Sequence, residues 1–101
     1  MKKRFSIIHD MDEGQCYFCG SHINTHIHEI FYGMANRDKS IKYGLCVRLC
    51  FDHHTGTHGV HNGNRELDLQ LKRIGQMAFK QKYPDLDFFE IFRRNYLDDR
   101  V

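Results

Sequence analysis

The sequence predicts a small α+β domain in which short strands and turns come first and two helices follow. Residues 16–62 carry all four cysteines, seven of the eight histidines and scattered glycines, a composition typical of short strands joined by turns. Residues 64–97 carry apolar side chains at helical spacing. A length of 101 residues corresponds to one domain, so we treat 1–101 as a single unit.

Three segments have the composition of strands. Residues 4–8 form a short apolar run inside the charged N-terminal segment. Residues 24–31 include the apolar side chains of Ile27 and Phe31. Residues 45–50, with the sequence LCVRLC, directly follow a glycine. These three segments are the strand candidates of the domain.

Two helices are predicted in the C-terminal third. Asn64 is suited to capping the first, and Pro84 separates it from the second, for which Asp85 or Asp87 is the cap. Each helix has one apolar stripe, and this spacing indicates core packing rather than chemistry. The stripes are Leu67, Leu71, Ile74 and Ala78 in the first helix and Phe88, Ile91, Phe92 and Tyr96 in the second.

The N-terminus, MKKRFSIIHDMDEGQ, has no apolar segment of the kind found in secretory signals, and no run approaches the roughly 18 apolar residues of a membrane span. We therefore expect a cytoplasmic protein with no membrane partner. Thiols stay reduced in that compartment, so close cysteine pairs bind metal more often than they form disulfides. The net charge of +2 permits nucleic-acid binding without requiring it.

Two pairs of metal-ligand residues share one spacing. Cys16 and Cys19 are separated by two residues, and so are Cys50 and His53. Structural zinc takes four nitrogen or sulfur ligands in a tetrahedron, and such pairs supply them with little strain. We predict that these four residues hold one structural Zn²⁺; the alternative is ordinary buried cysteines beside a surface histidine. Cys46 breaks the paired spacing, so we expect it to pack in the core.

A second group of metal-ligand side chains remains after this assignment. A closed structural site does not need them, whereas a hydrolytic site requires few protein ligands, an open coordination position and a nearby base. The remaining side chains are His26, His28, Glu29, His54, His58 and His61.

Several segments together resemble an HNH endonuclease, the ββα-metal or His-Me finger architecture, and more narrowly the small phage and prophage HNH-type proteins. They are CYFCG, HEIFYGMANRDKSIKYGL, LCFDHHTG, GVHN, the leucine-rich helix with GQMAF, and IFRRNYL. The resemblance spans about residues 15–97. It implies a zinc-stabilised ββα-metal core with two C-terminal helices packed on it. It also implies metal-dependent hydrolysis of DNA phosphodiesters, with Mg²⁺ or another divalent ion at the catalytic site.

The resemblance assigns catalytic roles residue by residue. His28 takes the place of a metal ligand and Glu29 the place of the base, where the family usually has histidine. Either Glu29 is the base, or His28 is the base and Glu29 helps to bind the ion. His54 takes the place of a ligand on the helix after the second strand. His61, within GVHN, is preferred over His58 as the last ligand of the catalytic ion.

The chain departs from the family pattern at Leu45, near where a central asparagine is usual; Asn36 or Ser40 would then brace the loop between the strands. His26 lies two residues before His28, on the same strand face, as either a third ligand or a phosphate contact. His9 and His22 are interpreted as surface residues.

Basic residues next to the proposed site are candidates for contacts with DNA phosphates. They are Arg37, Lys39, Lys42 and Arg48, and the alternative is a solvated loop. DNA is therefore the expected partner, and a second copy of the chain or a recombination protein of phage or host is a further candidate. A non-catalytic, zinc-stabilised DNA-binding or recombination accessory module is the alternative function.

Overall fold

The computed structural model describes residues 4–97 and has the predicted α+β architecture. A single 3-10 turn (Met11–Glu13) precedes two strands and four helices. In chain order they are β1 (Thr25–Glu29), α1 (Arg37–Tyr43), β2 (Cys46–Cys50), α2 (Phe51–His54), α3 (Arg65–Lys82) and α4 (Phe88–Phe92). Within residues 4–97, no helix combines the length and the apolar composition that crossing a bilayer requires.

The two strands form an antiparallel pair that runs from Thr25 opposite Cys50 to Glu29 opposite Cys46. Both lie inside the segments predicted as strands, 24–31 and 45–50. Because successive side chains in a strand point to opposite faces, the sheet has two chemically different sides. One carries the side chains of the two β2 cysteines, and the other carries those of the two β1 histidines.

The prediction of a strand at residues 4–8 is wrong. That segment is irregular, and its Ile7 N–H donates to the Gly44 carbonyl at 2.9 Å. The outer edge of β2 is occupied differently. The Arg48 N–H donates to Nε2 of His9 at 3.1 Å, and its carbonyl accepts from the Tyr17 N–H at 2.7 Å. These bonds use the backbone groups that a third strand would need at that residue.

The segment between the two strands was predicted to be a loop, and it contains helix α1. The helix ends at Gly44, whose φ of 74° lies in the left-handed region that favours glycine. The buried Ser40 hydroxyl accepts from the Phe31 N–H at 3.0 Å and donates to the Phe31 carbonyl at 2.7 Å. Ser40 therefore braces the connection to β1, whereas the Asn36 side chain donates to the Phe92 carbonyl at 3.4 Å.

Helices α3 and α4 cover the end of β1 through an aromatic core. The Phe31 ring lies 5.1 Å from Phe88 and 4.9 Å from Phe92, centroid to centroid. Gly75 permits this packing, since a Cβ there would lie 3.0 Å from the Phe31 ring. The buried face of α3 consequently runs through Leu67, Leu71, Gly75, Gln76 and Phe79. The predicted positions Ile74 and Ala78 are only half-buried.

Both helices begin at capping side chains. Asn64 accepts from the Leu67 N–H at 3.1 Å, as predicted for α3. Asp87, rather than Asp85, caps α4 by accepting from the Phe89 N–H at 3.0 Å. An uncapped first turn would leave such N–H groups without a partner.

Candidate metal centres

Three thiols and one imidazole converge at the end of β2. Sγ of Cys19 lies 3.8 Å from Sγ of Cys50, and Nδ1 of His53 lies 3.2 Å from Sγ of Cys50 and 4.0 Å from Sγ of Cys16. All four ligand atoms lie within 4.8 Å of one another. A tetrahedral zinc ion with Zn–S bonds of about 2.3 Å places its sulfur ligands about 3.8 Å apart. The cluster can therefore hold a metal ion such as zinc.

Local backbone geometry explains the convergence. In the first pair, the Gly20 N–H closes a turn onto the Cys16 carbonyl at 2.9 Å, with Gly20 at a φ of 80°. In the second, Cys50 ends β2 and occupies the N-cap of α2, so one helical turn returns His53 to its thiol. Burial opposes ionisation of Cys16, but the N–H groups around it outweigh this effect and lower its pKa. The thiolate is the form that binds metal.

Cys46 lies outside this cluster. Its side chain is fully buried, and its Sγ lies 4.0 Å from the Ser40 carbonyl oxygen. Burial is the largest cause that raises the pKa of Cys46, to about 12. The residue is a packed thiol, as its position in the apolar strand predicted.

Three imidazoles converge on the opposite side of the sheet. His28 comes from β1, His54 from α2 and His61 from the turn that follows, and their ring centroids are 4.9–5.3 Å apart. Their ligand atoms also lie within 4.8 Å of one another. Among the described residues, Nε2 of His28 and Nδ1 of His54 are buried with no hydrogen-bond partner. Since buried polar atoms normally have partners, two orphaned nitrogens in one cluster fit a bound cation.

Burial favours the neutral form of two of these imidazoles, His28 and His54. Burial lowers the pKa of His28 to about 3, with smaller contributions from His54, His61 and Lys72. Burial also lowers the pKa of His54, followed by the effects of His61 and His26. The neutral imidazole is the form that coordinates a metal, so the lowered pKa values of His28 and His54 favour ion binding at neutral pH.

The structure places His61, and not His58, in the three-imidazole cluster. Nδ1 of His58 lies 2.9 Å from Oδ2 of Asp52 in an exposed contact outside that cluster. The His61 N–H donates to the His54 carbonyl at 3.0 Å, which returns His61 to the cluster. Gly59 makes the return possible, because a Cβ there would lie 2.5 Å from the same carbonyl oxygen.

Glu29 is not part of the three-imidazole cluster. As the residue after His28 in β1, it points to the other face of the sheet. Its carboxylate accepts from Nε of Arg4 at 2.7 Å and lies 3.8 Å from Nε of Arg37. His26 does share the His28 face, and its exposed ring lies 5.8 Å from that of His54.

The four basic residues predicted to contact DNA have different surroundings. Lys39 donates to the Ile91 carbonyl at 2.5 Å. Arg48 donates to the Met11 carbonyl at 2.8 Å and to Thr25. Both are half-buried, whereas Arg37 and Lys42 are exposed on α1.

Three residues near the imidazoles were not predicted from the sequence to belong to the site, namely Tyr32, Asp68 and Lys72. The Tyr32 ring lies 4.9 Å from that of His61, and its hydroxyl donates to Asp68, which also pairs with Lys72. The spacing of Asp68 and Lys72 is visible in the sequence, but it equally describes a solvated pair on a helix. Nothing local connects either residue to Tyr32, which lies 36 positions before Asp68.

Comparison of the chain with protein-family models, curated protein sequences and solved structures gave no match.

Proposed function

We propose that the protein is a metal-dependent DNA endonuclease of the HNH type, which hydrolyses phosphodiester bonds at the three-imidazole cluster. The observation that supports this most strongly is the pair of orphaned nitrogens in His28 and His54, buried beside the exposed His61. The cluster sits on an antiparallel strand pair followed by a one-turn helix, the arrangement that the resemblance implies. Cys16, Cys19, Cys50 and His53 form the separate structural site for Zn²⁺.

The ligand chemistry favours a transition ion at the second site. Imidazole nitrogen suits Zn²⁺, Ni²⁺, Cu²⁺ and iron, whereas Mg²⁺ prefers oxygen ligands. The three-imidazole cluster contains no carboxylate, so its donor set gives Mg²⁺ no support. A bound divalent ion supplies positive charge that stabilises the phosphate oxygens and the leaving oxygen. Three protein ligands leave coordination positions open for the substrate.

Hydrolysis also requires a group that accepts a proton from the attacking water. The Glu29 carboxylate is engaged by Arg4 and points to the other face of the sheet. In this proposal His28 and His54 bind the divalent ion and so do not accept the proton. We therefore assign the base role to His26, whose exposed ring lies 5.8 Å from the His54 ring.

Contacts with the DNA backbone are assigned to α1. Arg37 and Lys42 are exposed there and can neutralise phosphates without reading sequence. Arg37 also lies 3.8 Å from the Glu29 carboxylate, which orients its guanidinium. Lys39 and Arg48 donate to backbone carbonyls, so we assign them structural roles.

Nicking of supercoiled plasmid by the purified protein tests the proposal, with Mg²⁺, Mn²⁺, Co²⁺, Ni²⁺ and Zn²⁺ supplied separately. We expect cleavage with at least one ion, and its loss in His28→Ala and in His54→Ala. His22→Ala is the matched control, because His22 is an exposed histidine outside both clusters. Cleavage by His28→Ala at the wild-type rate contradicts the proposal, and so does the absence of wild-type cleavage with every ion.

One observation favours a non-catalytic, zinc-stabilised DNA-binding or recombination accessory module instead. The carboxylate expected beside the ion, that of Glu29, is held in ion pairs away from the imidazoles. Such a module binds DNA in a gel-shift assay under conditions in which no nicked product forms.

A further inference from the structure

Tyr32 lies against two of the three clustered imidazoles. Its ring centroid is 4.9 Å from that of His61, in an edge-to-face arrangement, and 5.8 Å from that of His28. Edge-to-face contacts of this kind are directional, because the ring edge and the ring face carry opposite partial charge. The position of the Tyr32 ring therefore affects the orientation of both imidazoles.

A half-buried ion pair between Asp68 and Lys72 holds this ring in place. The Tyr32 hydroxyl donates to Oδ2 of Asp68 at 3.0 Å, and Nζ of Lys72 donates to the same oxygen at 3.0 Å. The side chains of Asp68 and Lys72 are each only 15% exposed, so water competes weakly for these bonds. Nζ of Lys72 also lies 4.5 Å from the centre of the Tyr32 ring. Asp68 and Lys72 thus hold Tyr32 by its hydroxyl and by its ring face.

His61 is the ligand that needs such support. It lies in a turn rather than in a helix or strand, and it is exposed, whereas His28 is fully buried within β1. A backbone hydrogen bond to His54 fixes its main chain but not its side-chain torsions. An imidazole that rotates freely loses more entropy when it binds an ion, which weakens binding.

We propose that Tyr32, held by Asp68 and Lys72, is a positioning residue that fixes the His61 imidazole for binding of a divalent ion. The inference rests on the proposed function only in taking the three imidazoles as an ion site. It does not depend on DNA cleavage, because the ring contacts act on the ligand before any substrate arrives. Removing the ring is expected to weaken ion binding, and removing the hydroxyl alone is expected to weaken it less.

Calorimetric titration of Co²⁺ into protein that already carries one equivalent of zinc tests the proposal. We expect one Co²⁺ to bind per chain in the wild type and none in His28→Ala. Tyr32→Leu should raise the Kd for Co²⁺ about 10-fold, the lower end of the range for residues that orient metal ligands. Tyr32→Phe keeps the ring contact with His61 and should show a smaller increase.

Tyr83→Phe is the matched control, since its hydroxyl donates to the Tyr43 carbonyl at 3.3 Å and Tyr83 belongs to neither ligand cluster. Its Kd should equal that of the wild type, whatever its effect on Tm. A purely structural role for Tyr32 would lower Tm and leave the Kd unchanged, which overturns the proposal even if Tyr32→Leu is destabilised. Should Tyr32→Leu not fold, an unchanged Kd in both Tyr32→Phe and Asp68→Asn overturns it equally.

The outcomes also separate this inference from the proposed nuclease activity. Wild-type protein that binds Co²⁺ and never cuts DNA overturns the nuclease and leaves the positioning role standing if Tyr32→Leu weakens binding. Wild-type protein that binds no Co²⁺ overturns the positioning role alone, because the nicking assay tests the nuclease with four other ions. Cleavage and Co²⁺ binding that are both unaffected by Tyr32→Leu overturn the positioning role alone.

Discussion

His53 and His54 are consecutive in the chain, and their imidazoles lie in different ligand clusters. His53 contacts the thiols of Cys16 and Cys50, whereas the His54 ring packs against His28. Consecutive residues of a helix point about 100° apart, and α2 begins directly after the last residue of β2. One short helix therefore supplies a ligand to each cluster.

Loss of a cysteine that binds zinc should unfold the protein, whereas loss of Cys46, which lies outside the cluster, should not. Cys16→Ala removes one of four ligands from a small domain, so we expect zinc to be lost together with the cooperative thermal transition. Cys46→Ala is the control: it should retain one zinc equivalent and lose about 1 kcal/mol through poorer packing. Metal analysis and thermal unfolding measure both. A folded, metal-free Cys16→Ala protein would show that this cluster is not a structural zinc site.

Two substitutions distinguish the candidate bases. Glu29→Gln removes a charge that is engaged by Arg4, and we expect cleavage to stay within a few-fold of wild type. His26→Gln removes the exposed imidazole beside His54 and should lower the rate about 100-fold, the lower end of the contribution from general bases. Initial rates of plasmid nicking at saturating ion concentration measure the difference. The opposite order of the two effects would restore the base role to Glu29.

Exposed basic residues should contribute to DNA binding, whereas a half-buried one that donates to a backbone carbonyl should contribute to stability. Arg37→Ala and Lys42→Ala each remove an exposed charge, so each should weaken binding to any sequence and reduce the salt slope by about 1. Neither should change Tm. Arg48→Ala removes a donor to the Met11 carbonyl, so it should lower Tm and leave the salt slope unaltered. Fluorescence anisotropy at several salt concentrations tests this, and equal salt slopes in Arg37→Ala and the wild type would contradict it.

Acid should destabilise the protein partly through His28. Its pKa falls from 6.5 to about 3 on folding, chiefly because of burial. Below pH 6.5 His28 is therefore protonated in the unfolded chain but stays neutral in the folded chain. The free energy of unfolding consequently decreases as the pH falls from 6.5 towards 3.

Between pH 7 and pH 5 this effect amounts to about 2 kcal/mol. His28→Gln lacks the titrating group, so its free energy of unfolding should fall by that much less over the same interval. Urea denaturation without added metal measures both proteins. Parallel pH profiles for the two would mean that His28 titrates normally in the folded state.

The features that local spacing determines could be predicted from the sequence. The ligand pairs Cys16–Cys19 and Cys50–His53 are each closed by a single turn, so their spacing alone brings the ligands together. The same holds for the Asn64 cap of α3. The order of β1, β2, α3 and α4 also followed from composition and periodicity, whereas α1 was not predicted.

Features that depend on packing between distant segments could not be predicted. The face of α3 turned towards the core is set by the approach of Gly75 to Phe31. The periodicity of apolar residues in the sequence does not reveal this contact. The ion pairs that engage Glu29 depend on Arg4, which lies 25 positions earlier in the chain. The short helix α1 ends at Gly44 after seven residues, too few for an apolar stripe to become visible.

The shared helix α2 has a thermodynamic consequence. It is four residues long, and it carries ligands of both clusters. An ion at either cluster restricts the same helical turn, so occupancy of one favours occupancy of the other, and reciprocity requires the two effects on affinity to be equal. The two sites should therefore fill cooperatively, and a shortage of zinc at the thiols should reduce the affinity of the imidazoles for their own ion.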